Sequence, residues 1–239
     1  MQRWLLQEKR TQAWDTPINS VNAVYAFLGS QNGQDDRLRL DAAQADICVD
    51  GKPLELPKAT AAIGYVKTPV QKDSQTLTIA KTTEGTSWGA VYAQFVQATK
   101  NIADTGQGLT VKREYLDEKG HLLPLTSPHS PLKVGDRVRV RITITADRDY
   151  DFVQVQDKRA ACMEPVRQLS GWHSGSYCTP KDNTTNYYFD CLSKGTHTIE
   201  SEYYVDRVGR YETGTCTVQC AYAPEFRGTT HSQTLTIKN

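Results

Sequence analysis

Residues 132–157, LKVGDRVRVRITITADRDYDFVQVQD, decide the fold class. A Gly135-Asp136 turn signal is followed by strict alternation. Val138, Val140, Ile142 and Ile144 fall on one face, and Arg137, Arg139, Arg141 and Thr143 on the other. A period of two over this length predicts a half-buried strand, with its apolar side inward and an arginine ladder outward. The polar run Ala146-Asp147-Arg148-Asp149-Tyr150 turns the chain, and alternation resumes from Phe152 to Gln156. The expectation is a hairpin in a β-sandwich.

The same signal recurs on both sides. A strand is expected to open at Leu109, with further strands at 184–192, 196–206, 214–222 and 233–238. About seven short strands with regular turn signals describe an immunoglobulin-like sandwich. Residues 123–131, with three prolines, read as a rigid loop without ladder capacity. Residues 168–182 read as a long Gly/Ser-rich loop carrying Trp172, His173, Tyr177 and Cys178.

Towards the N-terminus the period changes. Residues 2–9 resemble a helix tail. Asp15 or Thr16 caps a second helix, with Pro17 in its first turn. Val21, Val24, Tyr25 and Leu28 then mark one buried helical face, and Gly29 ends it. Such a stripe needs a cover, either from the adjoining β region or from a second copy of the chain. Asp50-Gly51 sits at the turn of a hairpin running through Ile47-Cys48-Val49. Strands are expected at 60–70, 75–83 and 86–98. In the last, Trp88 and Tyr92 face away from Val91 and Phe95, as in a strand covered on both sides; a helix over 88–98 is the alternative. Residues 99–108 form a linker. The resulting division is 1–30 helical, 31–104 β-rich, and 105–239 sandwich.

The 239 residues are ample for a buried core, and 28 basic against 27 acidic residues leave no excess charge for nucleic acid or a membrane surface. No run of eighteen apolar residues is present, and the charged start is unlike a secretory signal. Asp147, Asp149 and Asp151 alternate as calcium ligands can, but the Gly and distal Glu of an EF-hand loop are missing and Arg148 supplies an internal counter-charge. They read as a solvated turn. The histidines at 121, 129, 173, 197 and 231 accompany no nucleophile motif, so no catalytic site, metal or cofactor is expected.

Six cysteines without a Cys-x-x-Cys pair argue against a zinc cluster and allow an oxidising compartment. Cys216 and Cys220 lie roughly 13 Å apart if their segment is a strand, beyond the limit of about 7 Å for a disulfide. A Cys162–Cys220 bridge is expected to staple distant parts of the sandwich. Cys178–Cys191 would close a loop worth about 3 kcal/mol. Cys48 and Cys216 are left free; the alternative is that the cysteines are buried free thiols packed as small hydrophobes.

Residues 132–157, Arg159-Ala-Ala-Cys162-Met-Glu-Pro165 and Cys220-Ala-Tyr222-Ala-Pro-Glu225-Phe226 together resemble the last macroglobulin-like domain of bacterial alpha-2-macroglobulins, especially the Bacteroidetes type. Thr11-Gln-Ala-Trp14-Asp-Thr-Pro17 resembles the end of that family's helical thioester domain, which would make 31–104 part of a CUB-like β domain. Family members with a thioester carry a Cys-Gly-Glu-Gln type motif that traps proteases. No such tetrapeptide occurs here, and Cys48 is followed by Val49-Asp50. The resemblance implies a non-enzymatic C-terminal scaffold of a protease inhibitor. Its partners would be the upstream domains of its own parent chain and, through the parent, target proteases. It implies an exported, periplasmic or envelope setting, with any lipid anchor at the parent's N-terminus and no membrane insertion here. Trp172, Tyr177, Tyr222, Glu225 and Phe226 are the candidate interaction residues. A rival reading is a secreted carbohydrate- or protein-binding sandwich whose surface is the Trp172/Tyr177 loop.

Overall fold

The computed structural model describes residues 2–14, 16–28, 45–56, 67–71, 73–82, 89–125, 132–173 and 175–239. The chain divides into two compact units, Thr16–Gln94 and a larger one joining Met1–Asp15 to Phe95–Asn239. The segment 1–30, read as two helices with a break before Pro17, contributes to both units. Helix α1 (Gln2–Thr11) belongs to the larger unit and α2 (Pro17–Leu28) to the smaller.

In the smaller unit, Thr16 is the cap of α2: its Oγ1 accepts the Asn19 N–H at 3.2 Å. The expected buried face is corrected. Val21, Val24 and Tyr25 are 65 %, 50 % and 76 % exposed, and Ala23 is buried instead. Leu28 and Gly29 lie outside the described side chains. Periodicity identifies which side of a helix is apolar, and α2 keeps that side open in this chain.

Strands β1 (Asp46–Val49) and β2 (Lys52–Pro53) form the expected hairpin. Asp50 and Gly51 take φ of +48° and +77°, the left-handed pair this tight turn requires. The Asp50 carboxylate also accepts the N–H groups of Thr76 and Gln75, at 2.9 and 3.1 Å. These bonds hold it below the usual carboxylate range. They also tie the turn to β3 (Leu77–Ala80), which pairs with β1. Two other expected strands are corrected: residues 67–70 and 89–98 are irregular, with Tyr92 and Phe95 exposed. The rest of 60–70, and Trp88, lie outside the described residues. Aromatic and β-branched content makes a strand only where a partner covers it.

The larger unit is the sandwich. Its strands are β4 (Thr105–Gln107), β5 (Leu109–Leu116), β6 (Arg137–Ala146), β7 (Tyr150–Lys158), β8 (Met163–Pro165), β9 (Gly171–His173), β10 (Ser176–Pro180), β11 (Thr184–Leu192), β12 (Gly195–Val205), β13 (Gly209–Glu212), β14 (Cys216–Cys220), β15 (Arg227–Thr229) and β16 (Thr234–Ile237). Hydrogen bonding runs β8-β12-β6-β5-β4-β15-β14-β7-β11-β10-β9, with β13-β16 a separate pair. Val138, Val140, Ile142 and Ile144 of β6, Val153 and Val155 of β7, Val218 of β14 and Phe189 of β11 share one core. The long sheet thus folds over on itself. Each such side chain contributes on the order of 1.5–3 kcal/mol by its burial.

The expected β6–β7 hairpin is corrected to a crossover. β6 pairs with β5 and β12, whereas β7 pairs with β11 and β14. Both apolar faces point into one core, so the two strands must lie in opposite layers, and residues 147–149 carry the chain between them. Tyr150, fully buried at the crossing, donates its hydroxyl to Asp147 Oδ1 at 2.6 Å. Gly108 (φ +72°) passes so close that a Cβ there would lie 2.2 Å from the Tyr150 oxygen.

The arginine ladder faces outward as expected, and register explains its neutrality. Arg141, Arg139 and Arg137 sit opposite Glu200, Glu202 and Tyr204 of β12. Arg141 Nε meets Glu200 at 2.6 Å, and Arg137 donates to the Tyr204 hydroxyl at 2.6 Å.

Candidate functional site

The candidate interaction residues collect in two places. One is the seam between α1 and the β14–β15 turn. This turn is closed by the Phe226 N–H on the Ala223 carbonyl and the Cys220 N–H on the Phe226 carbonyl, at 2.9 and 3.0 Å. Phe226 packs on Tyr150, with ring centroids 5.5 Å apart, and the guanidinium groups of Arg10 and Arg148 lie 5.9 and 5.4 Å from its ring centre. Glu225 pairs with Arg10. The Ala13 N–H donates to Asp151 Oδ2 at 2.5 Å. Glu225 and Phe226 are thus engaged within the chain. Tyr222 stays 74 % exposed, edge-on to Phe152 at 5.3 Å. The cleft they border, between Lys9, Arg10, Gln12 and Tyr222, holds about 200 Å³. That is smaller than the ~300–1,000 Å³ of a small-molecule site.

The second place is the segment expected as a long loop, which is corrected to a β-hairpin. β9 and β10 pair in the register Trp172↔Tyr177, and β10 continues onto β11. Trp172 is 61 % exposed and meets Tyr177 edge to face at 5.8 Å. Glycine and serine content suggested a loop, but Ser176 is buried, with its hydroxyl on the His173 carbonyl at 3.1 Å.

The aspartates of the crossover serve separate donors. Asp147 takes Arg148 and Tyr150, Asp149 takes the Lys194 N–H, and Asp151 takes Ala13. The Arg148 hydrogen bond, with that of Tyr150, holds the Asp147 carboxyl below its usual range against the opposing effect of burial. Arg159, in the segment running to Pro165, gathers main-chain carbonyls: Met163 at 3.1 Å, Thr184 at 3.0 Å, Asp182 at 2.8 Å, and Lys181.

Both expected disulfides are corrected: all six cysteines are free thiols. Cys220 lies opposite Val153 and Cys216 opposite Asp157. Cys220 is therefore at the far end of β7 from the corner that carries Cys162, by roughly 13 Å of strand. Cys178 lies opposite Tyr187, four residues of β11 from Cys191. Either bridge would exceed the separation of about 7 Å that a disulfide tolerates. Burial pushes the Cys162 thiol up to about 11, and burial together with Asp157 raises Cys216. Raised thiols make poor nucleophiles.

One polar centre went unmarked in the sequence reading. Arg113 of β5 reaches Asp157 of β7 at 2.9 Å, and donates to Gly214 O, Lys158 O and Thr213 Oγ1 at 2.6, 2.9 and 3.1 Å. The signal was present: Leu109, Val111, Arg113 and Tyr115 share the inward parity, and Arg113 breaks an apolar run.

Residues 108–225 match the family model for the bacterial alpha-2-macroglobulin MG10 domain. No curated protein matches the chain. Among solved structures, the chain is similar to a Salmonella alpha-2-macroglobulin mutant (22 % identity, TM-score 0.51, covering 58 % of this chain and 10 % of that one). It is also similar to Escherichia coli alpha-2-macroglobulin activated by porcine elastase (15 %, 0.52, 93 % and 22 %) and to the trypsin-activated form (14 %, 0.53, 98 % and 16 %). The chain thus spans about a tenth to a fifth of these proteins. At such identities they show a common fold.

Proposed function

We propose that this chain, whose residues 108–225 match the family model for the bacterial alpha-2-macroglobulin MG10 domain, is a non-catalytic scaffold within a protease inhibitor. The family match carries the reading. The chemistry of the sandwich supports it: its buried charges are spent on joining two layers, its buried thiols are raised, and its crossover carboxylates hold the main chain. The scaffold would position upstream domains of its own parent chain, and target proteases would meet it only through that parent. An exported, periplasmic setting and a Bacteroidetes-type origin belong to the same proposal. Among the described residues no helix is long and apolar enough to cross a membrane.

The α1 seam offers the test. In the parent protein, Arg10→Glu and Glu225→Arg each reverse one side of the ion pair, and the double swap restores it. Inhibition of a protease that cleaves the parent, read with a large protein substrate, should weaken in each single reversal and recover in the swap. Inhibition indifferent to both reversals would remove the seam from the mechanism.

A further inference from the structure

The two outer faces of the sandwich differ in kind. One carries the arginine–glutamate ladder of β6 and β12. The other, across β9, β10, β11, β7 and β14, is uncharged over two successive rows. Register places Trp172, Tyr177, Tyr188, Gln154 and Gln219 side by side in one row. The neighbouring row is Thr179, Asn186, Gln156 and Thr217. Charges begin only at the borders, with Lys158, Asp190 and Arg227.

We propose that this face binds a neutral carbohydrate chain, its sugar rings on the Trp172–Tyr177–Tyr188 aromatics and its hydroxyls on the Gln154 and Gln219 amides. The aromatics occupy adjacent strands, a platform about 10 Å across. All three are exposed, so apolar ring surface waits in water beside amides able both to donate and to accept. A sugar ring has the matching chemistry, with apolar C–H faces and a rim of hydroxyls. Asn186 adds a buried side-chain oxygen without a hydrogen-bond partner in the adjoining row. A nucleic acid or acidic polymer would need cations where these two rows have none. The inference rests on the face alone and stands apart from the protease-inhibitor reading.

Affinity electrophoresis tests it, with the chain run in gels cast with a soluble β-glucan, a mannan, a xylan, or anionic polygalacturonate. Retardation is expected in at least one neutral gel, unchanged by added salt, and absent with polygalacturonate. Trp172→Ala and Tyr188→Ala should each weaken the apparent affinity about tenfold or more, as truncation of a stacking anchor does. Gln154→Glu, which leaves the aromatics in place, should weaken it too. Thermal melting confirms that each variant folds. Migration unaltered in all three neutral gels, or retardation that survives both aromatic truncations, overturns the proposal. So does a concentration-dependent dimer abolished by the same substitutions, which would make a second copy the occupant.

Discussion

Arg113 and Asp157, from strands in opposite layers, meet at 2.9 Å with both side chains 2 % exposed. Arg113 spends its remaining donors on Thr213, Gly214 and Lys158. The pair therefore pins β5, β7 and the segment before β14 at one point inside the sandwich. Removing one partner strands a buried charge. Asp157→Ala is expected to cost about 3–5 kcal/mol, read by urea unfolding. Arg113→Met/Asp157→Leu should cost less than Asp157→Ala alone. Additive single costs would show that the two charges are not coupled.

The crossover gives a second prediction. Gly108→Ala places a methyl 2.2 Å from the Tyr150 oxygen at a φ of +72°, and should destabilise the sandwich strongly. Tyr150→Phe alone loses one hydrogen bond, about 0.5–1.5 kcal/mol. Combined with Gly108→Ala it should cost less than the sum, because the nearer of two clashing atoms is gone while Phe226 Cδ1, 2.7 Å away, remains. Strict additivity in thermal melts would mean that the two residues do not touch.

Acid sensitivity follows from Asp147. Its folded carboxyl lies below the ordinary range, chiefly through the hydrogen bond from Arg148. A depressed carboxyl contributes stability that is complete above its unfolded pKa of about 3.9 and is lost as pH falls through the folded value. Asp147→Asn should thus be less stable than the native chain at neutral pH, with the gap closing in acid. A gap that widens on acidification would reverse the assignment.

Much of this sandwich was legible in the sequence because its strands alternate cleanly. Residues 184–192 were read with the bounds they have, and the inward set of β6 is buried residue for residue. Alternation fixes faces, not partners, so it could not tell the β6–β7 crossover from a hairpin. The same gap explains the cysteines, whose spacing along the chain said nothing of their level on neighbouring strands. Composition misled at 168–182, where glycine and serine sit in a paired hairpin. Of the uncharged face only the Trp172/Tyr177 end was legible, because the rest of its rows is assembled from residues far apart in sequence.

The cysteines supply the fourth prediction. Unfolded without reductant, the chain should release six thiols. In the native state Cys191, exposed at the end of β11, should react with a thiol reagent before the buried Cys162, Cys216 and Cys220. A Cys162–Cys220 or Cys178–Cys191 peptide in a non-reducing map would contradict the strand register.

The scaffold role is tested most directly by mixing the isolated chain with trypsin or elastase. Protease activity on casein, and SDS-resistant adducts on a gel, would be followed before and after methylamine. The account predicts undiminished casein cleavage, no adduct, and no cleavage of peptide substrates by the chain itself. An adduct that methylamine abolishes would contradict it, because covalent capture would then reside in this part of the protein.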